Sequence, residues 1–158
     1  MIDIELFESA LKVNKEIVSF ESINQETLKF FIDYQIPEEI LLFMKKFSFS
    51  QNLIFNRIYF DKVNEIPSNN LWEENRRCIE EGFLIIGSGL NGDFIVVDLK
   101  TLKVGYVFHD EIWENEDAIV RENYINLNWS IGQFYYNALT MEEFPVDGFQ
   151  AEEYIEQV

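Results

Sequence analysis

The apolar positions of this chain change period along its length. Over 2–13, Ile4, Phe7, Ala10 and Leu11 fall three and four residues apart, the spacing that places side chains on one helical face. Asn24 stands where an N-cap belongs, ahead of a second helix predicted over 25–34 with Leu28, Phe31 and Ile32 on its stripe. Pro37 opens a third helix, because proline suits the first helical position and pushes Ile36 out of the helical region. The buried face of that helix is Ile40, Phe43, Met44 and Phe47. Glu38 and Glu39 fall in its first turn and Lys45 and Lys46 in its last, which complements the helix dipole. Leu53 to Phe60 then reads as one strand and 62–66 as another short one. Pro67 and Ser68-Asn69-Asn70 break the chain, and 71–81 reads as helix.

From Phe83 to His109 the pattern is that of a β-meander, with strands near 83–87, 93–99 and 104–109 and the second turn at 100–103. Phe94 to Val97 is apolar at every position, which predicts a central strand covered on both faces. Beyond Trp113 the pattern fades until 131–139, where Ile131, Phe134, Tyr135 and Ala138 mark a helix. Pro145 and Gly148 end that helix, and 150–157 forms a last acidic turn or two. There is no repeat, low-complexity run or linker, so 1–158 is predicted to be a single domain.

Gly87-Ser88-Gly89-Leu90-Asn91-Gly92 spells G-x-G-x-x-G after an apolar run. A dinucleotide site needs a helix next, whose N-terminus carries the pyrophosphate. The β-branched and aromatic run Asp93 to Leu99 follows instead, so these glycines are expected to turn a hairpin, with Asn91-Gly92 supplying positive φ angles.

Composition adds a core and excludes several classes. The 158 residues are 47% hydrophobic and include fifteen Phe, enough to bury a core without a staple. The acidic start Met1 to Glu5 predicts no signal peptide. The longest apolar runs fall far short of the roughly 18 residues of a membrane span. A single cysteine, Cys78, excludes an internal disulfide and suits a cytoplasmic location.

Charge changes the picture more. Asp and Glu number 29 against 12 Lys and Arg, a net charge of −17. Residues 110–158 hold 12 acids and one base, Arg121, for a net −11. Such a surface repels nucleic acid. It attracts a basic partner and speeds the encounter. Charge alone fits equally a protein kept soluble by its acids.

Candidate chemistry is sparse. His109 is the only histidine, so nucleophilic triads must use it and sites of several histidines are excluded. At the end of a predicted strand, beside Asp110 and Glu111, it suits an edge or interface residue as well as a base. The pairs Glu38-Glu39, Glu73-Glu74, Glu80-Glu81, Glu142-Glu143 and Glu152-Glu153 read as solvated faces, since adjacent helical residues do not face each other. Glu114-Asn115-Glu116-Asp117 lacks the glycine and closing glutamate of an EF-hand. Cys78 follows Arg76-Arg77, which lower a thiol pKa, yet a small buried cysteine reads equally well. No cofactor or metal is expected. Trp113, ringed by acids in 110–117, is either a cap on the sheet or a hot spot for a basic partner.

The order of these pieces resembles the SUKH superfamily, the group named for yeast cell-wall assembly and glucan-synthesis regulators. The residues that carry the resemblance are Ile36-Pro37-Glu38-Glu39-Ile40 to Phe47, then Phe83 to Gly87 with Asn91-Gly92-Asp93, then Phe94 to Leu99 and Gly105 to Glu111. They span 37–113, about half the chain. Two departures stand out: a Gly-rich corner after the first family helix reads Ser48-Phe49-Ser50 here, and the tail after 114 is more acidic and less recognisable.

The resemblance implies an α+β fold, a single SUKH-like domain with a twisted, mostly antiparallel β-sheet of about five to six strands and helices packed on it. It also implies a role without catalysis. Many bacterial members look like immunity proteins that bind and neutralise a polymorphic or contact-dependent toxin, and nuclease toxins are basic where they hold phosphate. The expectation is therefore a cytoplasmic immunity protein with a basic toxin domain as partner. Its expected contact surface is Asp110, Glu111, Trp113, Glu114, Glu116 and Asp117 with Glu142 and Glu143. Two rivals are a regulatory scaffold for a protein or glycan and a small carboxylate enzyme.

Overall fold

The computed structural model describes all residues, Met1–Val158. Eight α-helices, two 3-10 turns and six strands make an α+β fold. The strands form two antiparallel sheets rather than one: a hairpin of β1 (Leu53–Phe55) and β2 (Ile58–Phe60), and a four-stranded meander. The meander runs in the order β3 (Phe83–Ser88), β4 (Phe94–Asp98), β5 (Lys103–Val107) and β6 (Tyr124–Trp129). The hairpin lies against β3, where Asp61 N–H donates to Ile86 O at 2.8 Å.

The N-terminal helices follow the sequence signals. Helix α1 spans Ile4–Val13, α2 Gln25–Asp33 and α3 Glu38–Lys46. The Asn24 side chain accepts from Thr27 N–H at 2.8 Å, the expected N-cap. Pro37 occupies the N-cap of α3, one residue ahead of the first helical position. Ile40, Phe43, Met44 and Phe47 are all buried.

The middle of the chain departs from its sequence reading. Leu53 to Phe60 is a hairpin, not one strand. Asn56 takes φ 65°, a left-handed conformation that its short polar side chain tolerates, and the strands turn there. Residues 62–66 are no strand: the 3-10 turn Val63–Glu65 runs into α4 (Ile66–Leu71). Pro67 and Ser68-Asn69-Asn70 lie inside α4, because proline fits a first helical turn. The Asn70 side chain, fully buried, accepts from Ile85 N–H and donates to Ile85 O and Ile66 O, each at 2.9 Å, and so saturates part of the edge of β3. The helix expected over 71–81 is confined to α5, Arg76–Glu80.

The glycine corner does turn a hairpin, and a strand follows it. Gly92 supplies a positive φ of 94°. Asn91 contributes through its side chain instead, accepting from Asp93 N–H at 2.9 Å. In the strand that follows, every residue is buried and alternate side chains enter different cores. Ile95 and Val97 belong to a cluster of 32 buried apolar residues beneath α1, α3, α7 and the hairpin. Phe94 and Val96 join a cluster of eight on the opposite face, with Cys78, Ile112 and Val120.

His109 does not end a strand. It begins α6 (His109–Glu114). Strand β6 and the full length of α8 (Gly148–Gln157) were not legible, whereas α7 (Ile131–Thr140) matches its predicted span. No helix is long and apolar enough to cross a membrane.

Candidate functional site

Helix α6 leaves the meander at Phe108 and lies over the thinner core, with Ile112 turned inward. Two clasps hold it. The first is Arg77 of α5, whose guanidinium donates to the carbonyls of Asn115 at 2.9 Å, Glu116 at 3.0 Å and Ala118 at 3.1 Å, and also to Ile112 O. One cation thus fixes the acidic run from beneath by its backbone and leaves the carboxylates facing out.

The second clasp is Asp93, at the end of the glycine corner. Its Oδ1 accepts from His109 N–H at 3.2 Å and faces His109 Nδ1 at 2.6 Å. Its Oδ2 accepts from Gly148 N–H at 2.9 Å and from Asn91 Nδ2 at 3.1 Å. One buried carboxylate therefore joins the turn, the start of α6 and the start of α8. Gly148 is required for this approach: a Cβ there would lie 2.6 Å from a ring carbon of Phe108 and 2.9 Å from Asp93 Oδ2.

Between α6 and α8 lies a cleft of about 480 Å³ lined by Asp93, Asp110, Glu111, Glu114, Glu122 and Glu152 together with Phe108, Phe149 and Asn123. No lysine or arginine lines it. Phe149 is 60% exposed and packs against Phe108 with centroids 5.0 Å apart. On the other flank of α6, Glu73, Glu74 and Glu116 line a second concavity with Arg77 and Trp113. Trp113 packs as a cap on the sheet and keeps an exposed face. Its ring packs on His109 at 4.9 Å and Phe94 at 6.1 Å, and its Nε1–H donates to Asn75 Oδ1 at 2.8 Å, yet 48% of it is exposed.

The structure thus places Asp110, Glu111 and Glu114 in one cleft, Trp113 and Glu116 in the next, and Asp117 in the exposed turn between Asn115 and Ala118. Glu142 and Glu143 line a different concavity, beside Asn56 and Arg57 of the hairpin turn. Sequence reasoning did not place Glu122, Glu152 and Phe149 at the site: Glu122 reaches the cleft through the 3-10 turn Val120–Asn123 ahead of β6, and Phe149 and Glu152 through the placement of α8. The Glu73-Glu74 and Glu152-Glu153 pairs were visible as acidic faces, with nothing local to say what they flank.

Other reactive candidates are structural. Burial pushes the Cys78 thiol up to about 12, so Arg77 does not activate it. Burial also pushes the Asp61 carboxyl up to about 6, but this side chain bonds to Asn69 and lines none of these clefts. Arg121, the one base of the tail, is engaged by Asp98 at 3.1 Å and by the face of Phe83. No three His, Cys, Asp or Glu side chains converge as a metal-holding group. Comparison of the chain with protein-family models, with curated proteins and with solved structures finds no match.

Proposed function

We propose that this chain is a binding protein of the immunity class, SUKH-like in the order of its elements, that neutralises a basic toxin domain by occupying its cationic surface without catalysis. The observation that carries the reading is the α6 ridge: a rigidly clasped acidic segment, flanked by clefts rich in carboxylates, with the tail's single base already engaged. Acids kept only for solubility need no such convergence around a half-exposed tryptophan. A nuclease holds phosphate with lysines and arginines, and a carboxylate surface mimics that phosphate. Long-range attraction raises the association rate, and Trp113 and Phe149 supply the apolar anchors that hold the complex afterwards.

The exposed Phe149 above carboxylates also favours a second reading, a scaffold that binds a glycan, since sugar C–H groups stack on aromatic rings while hydroxyls donate to carboxylates. Co-expression with the product of the adjacent gene separates the two. The immunity reading predicts rescue of growth and a complex that co-purifies. Absence of both protection and complex contradicts it.

A further inference from the structure

The imidazole of His109 lies between two carboxylates, one at each nitrogen. Nδ1 is 2.6 Å from Asp93 Oδ1, and Nε2 is 2.8 Å from Asp110 Oδ1. A carboxylate only accepts hydrogen bonds, so the ring satisfies both partners only while it carries both protons. The neutral ring keeps one of them. Burial decides which. The Asp93 side chain is 2% exposed and that of Asp110 is 65% exposed. Without the proton on Nδ1 the buried Asp93 carboxylate would face a ring lone pair at 2.6 Å, which is costly, whereas water readily replaces the ring at Asp110. Trp113 and Phe94 pack against the imidazole and keep it from swinging away.

We infer that His109 is a proton-operated clasp: when the ring loses a proton it loses it from Nε2, releasing Asp110 while Nδ1–H continues to hold Asp93. The other charged groups lining this cleft are all acidic, Glu111 and Glu114 from α6, Glu122 ahead of β6 and Glu152 from α8. Release therefore frees one carboxylate and makes the cleft one unit more negative. A cationic side chain in the cleft is then held about threefold more tightly. That consequence, unlike the clasp itself, rests on reading the cleft as a partner site.

His109 is the only histidine, so a long-range nitrogen–proton NMR spectrum of the labelled full chain contains a single ring. Followed as the ring passes from doubly to singly protonated, it is expected to show the proton leaving Nε2 and Nδ1 retaining its own, the tautomer that free histidine in water disfavours. The Asp110 carboxyl carbon should shift with the same midpoint. Proton loss from Nδ1, or an Asp110 carbon that does not follow the ring, overturns the clasp. A hexa-arginine peptide serves as the binding probe. It should bind about threefold more tightly when the ring is singly protonated than when it is doubly protonated, and Asp110→Asn, which removes the carboxylate that is freed, should lower the tighter affinity. An NMR result as expected with an unresponsive peptide retains the clasp and removes the cleft from the partner site.

Discussion

On one face of the four-stranded sheet, Ile95 and Val97 sit in a cluster of 32 buried apolar residues; on the other, Phe94 and Val96 sit in a cluster of eight. The thick side is held by aromatic packing. Phe7 alone has ring centroids within 4.7 to 5.8 Å of Phe43, Phe47, Phe55, Phe60 and Tyr135. The thin side has too little apolar area for that and relies on polar clasps: Arg77 on four carbonyls, Asp93 on three segments, Arg121 on Asp98, and Glu81 accepting from Val120 N–H at 2.9 Å. The acidic ridge stands on the thin side. With only a narrow apolar face beneath it, the backbone of this ridge is fixed through hydrogen bonds.

The sharpest break in this comparison is on the thick side. Phe7→Ala removes the ring at the centre of the aromatic cluster and should cost about 3–5 kcal/mol in urea unfolding. A loss below about 1 kcal/mol would show that the cluster does not carry the fold. Next comes Asp61, whose carboxyl is raised by burial to about 6. The folded state binds this proton more tightly than the unfolded state. The stabilisation is therefore full below the unfolded carboxyl's value of 3.8 and is lost as pH rises through about 6. At neutral pH the charged form costs up to about 3 kcal/mol, so Asp61→Asn should stabilise the protein there and cease to do so near about pH 4. Thermal unfolding of both proteins at the two pH values checks the sign.

On the thin side, Arg77→Met should cost about 2 kcal/mol and speed hydrogen exchange across 112–118 while the thick core stays protected. Uniform loss of protection would mean that the two sides unfold together. The smallest effect is expected from Trp113→Phe, about 1 kcal/mol for the lost bond to Asn75, measured in the same urea titration.

Legibility in the sequence followed the same division. The helices of the thick side announce themselves through long amphipathic stripes and the cap at Asn24, and β4 through its unbroken apolar run. The hairpin was hidden because Leu53 to Phe60 has strand propensity throughout and the turn rests on one asparagine adopting a left-handed φ. Ser68-Asn69-Asn70 read as a break because polar residues signal loops, yet the partner that Asn70 satisfies is a strand fifteen positions on. Strand β6 carries its alternation in Ile125, Leu127 and Trp129, weakened by Asn126 and Asn128, which strands disfavour. Within the candidate site, the acids of 110–117 were visible as a run. The clasp of Asp93 on His109 and Gly148 was not, because it joins residues 16 and 55 positions apart.

The central claim is that the acids around α6 attract a basic protein. Its most direct measurement is the association rate of the co-purified partner as ionic strength is raised, for the native chain and for a variant carrying Glu111→Gln, Glu114→Gln, Glu116→Gln and Asp117→Asn. The account predicts a native rate that falls steeply as the screening length shrinks toward about 8 Å, and a variant that is slower and less sensitive to salt. A native rate that ignores salt, or a variant that associates as fast as the native chain, would contradict it.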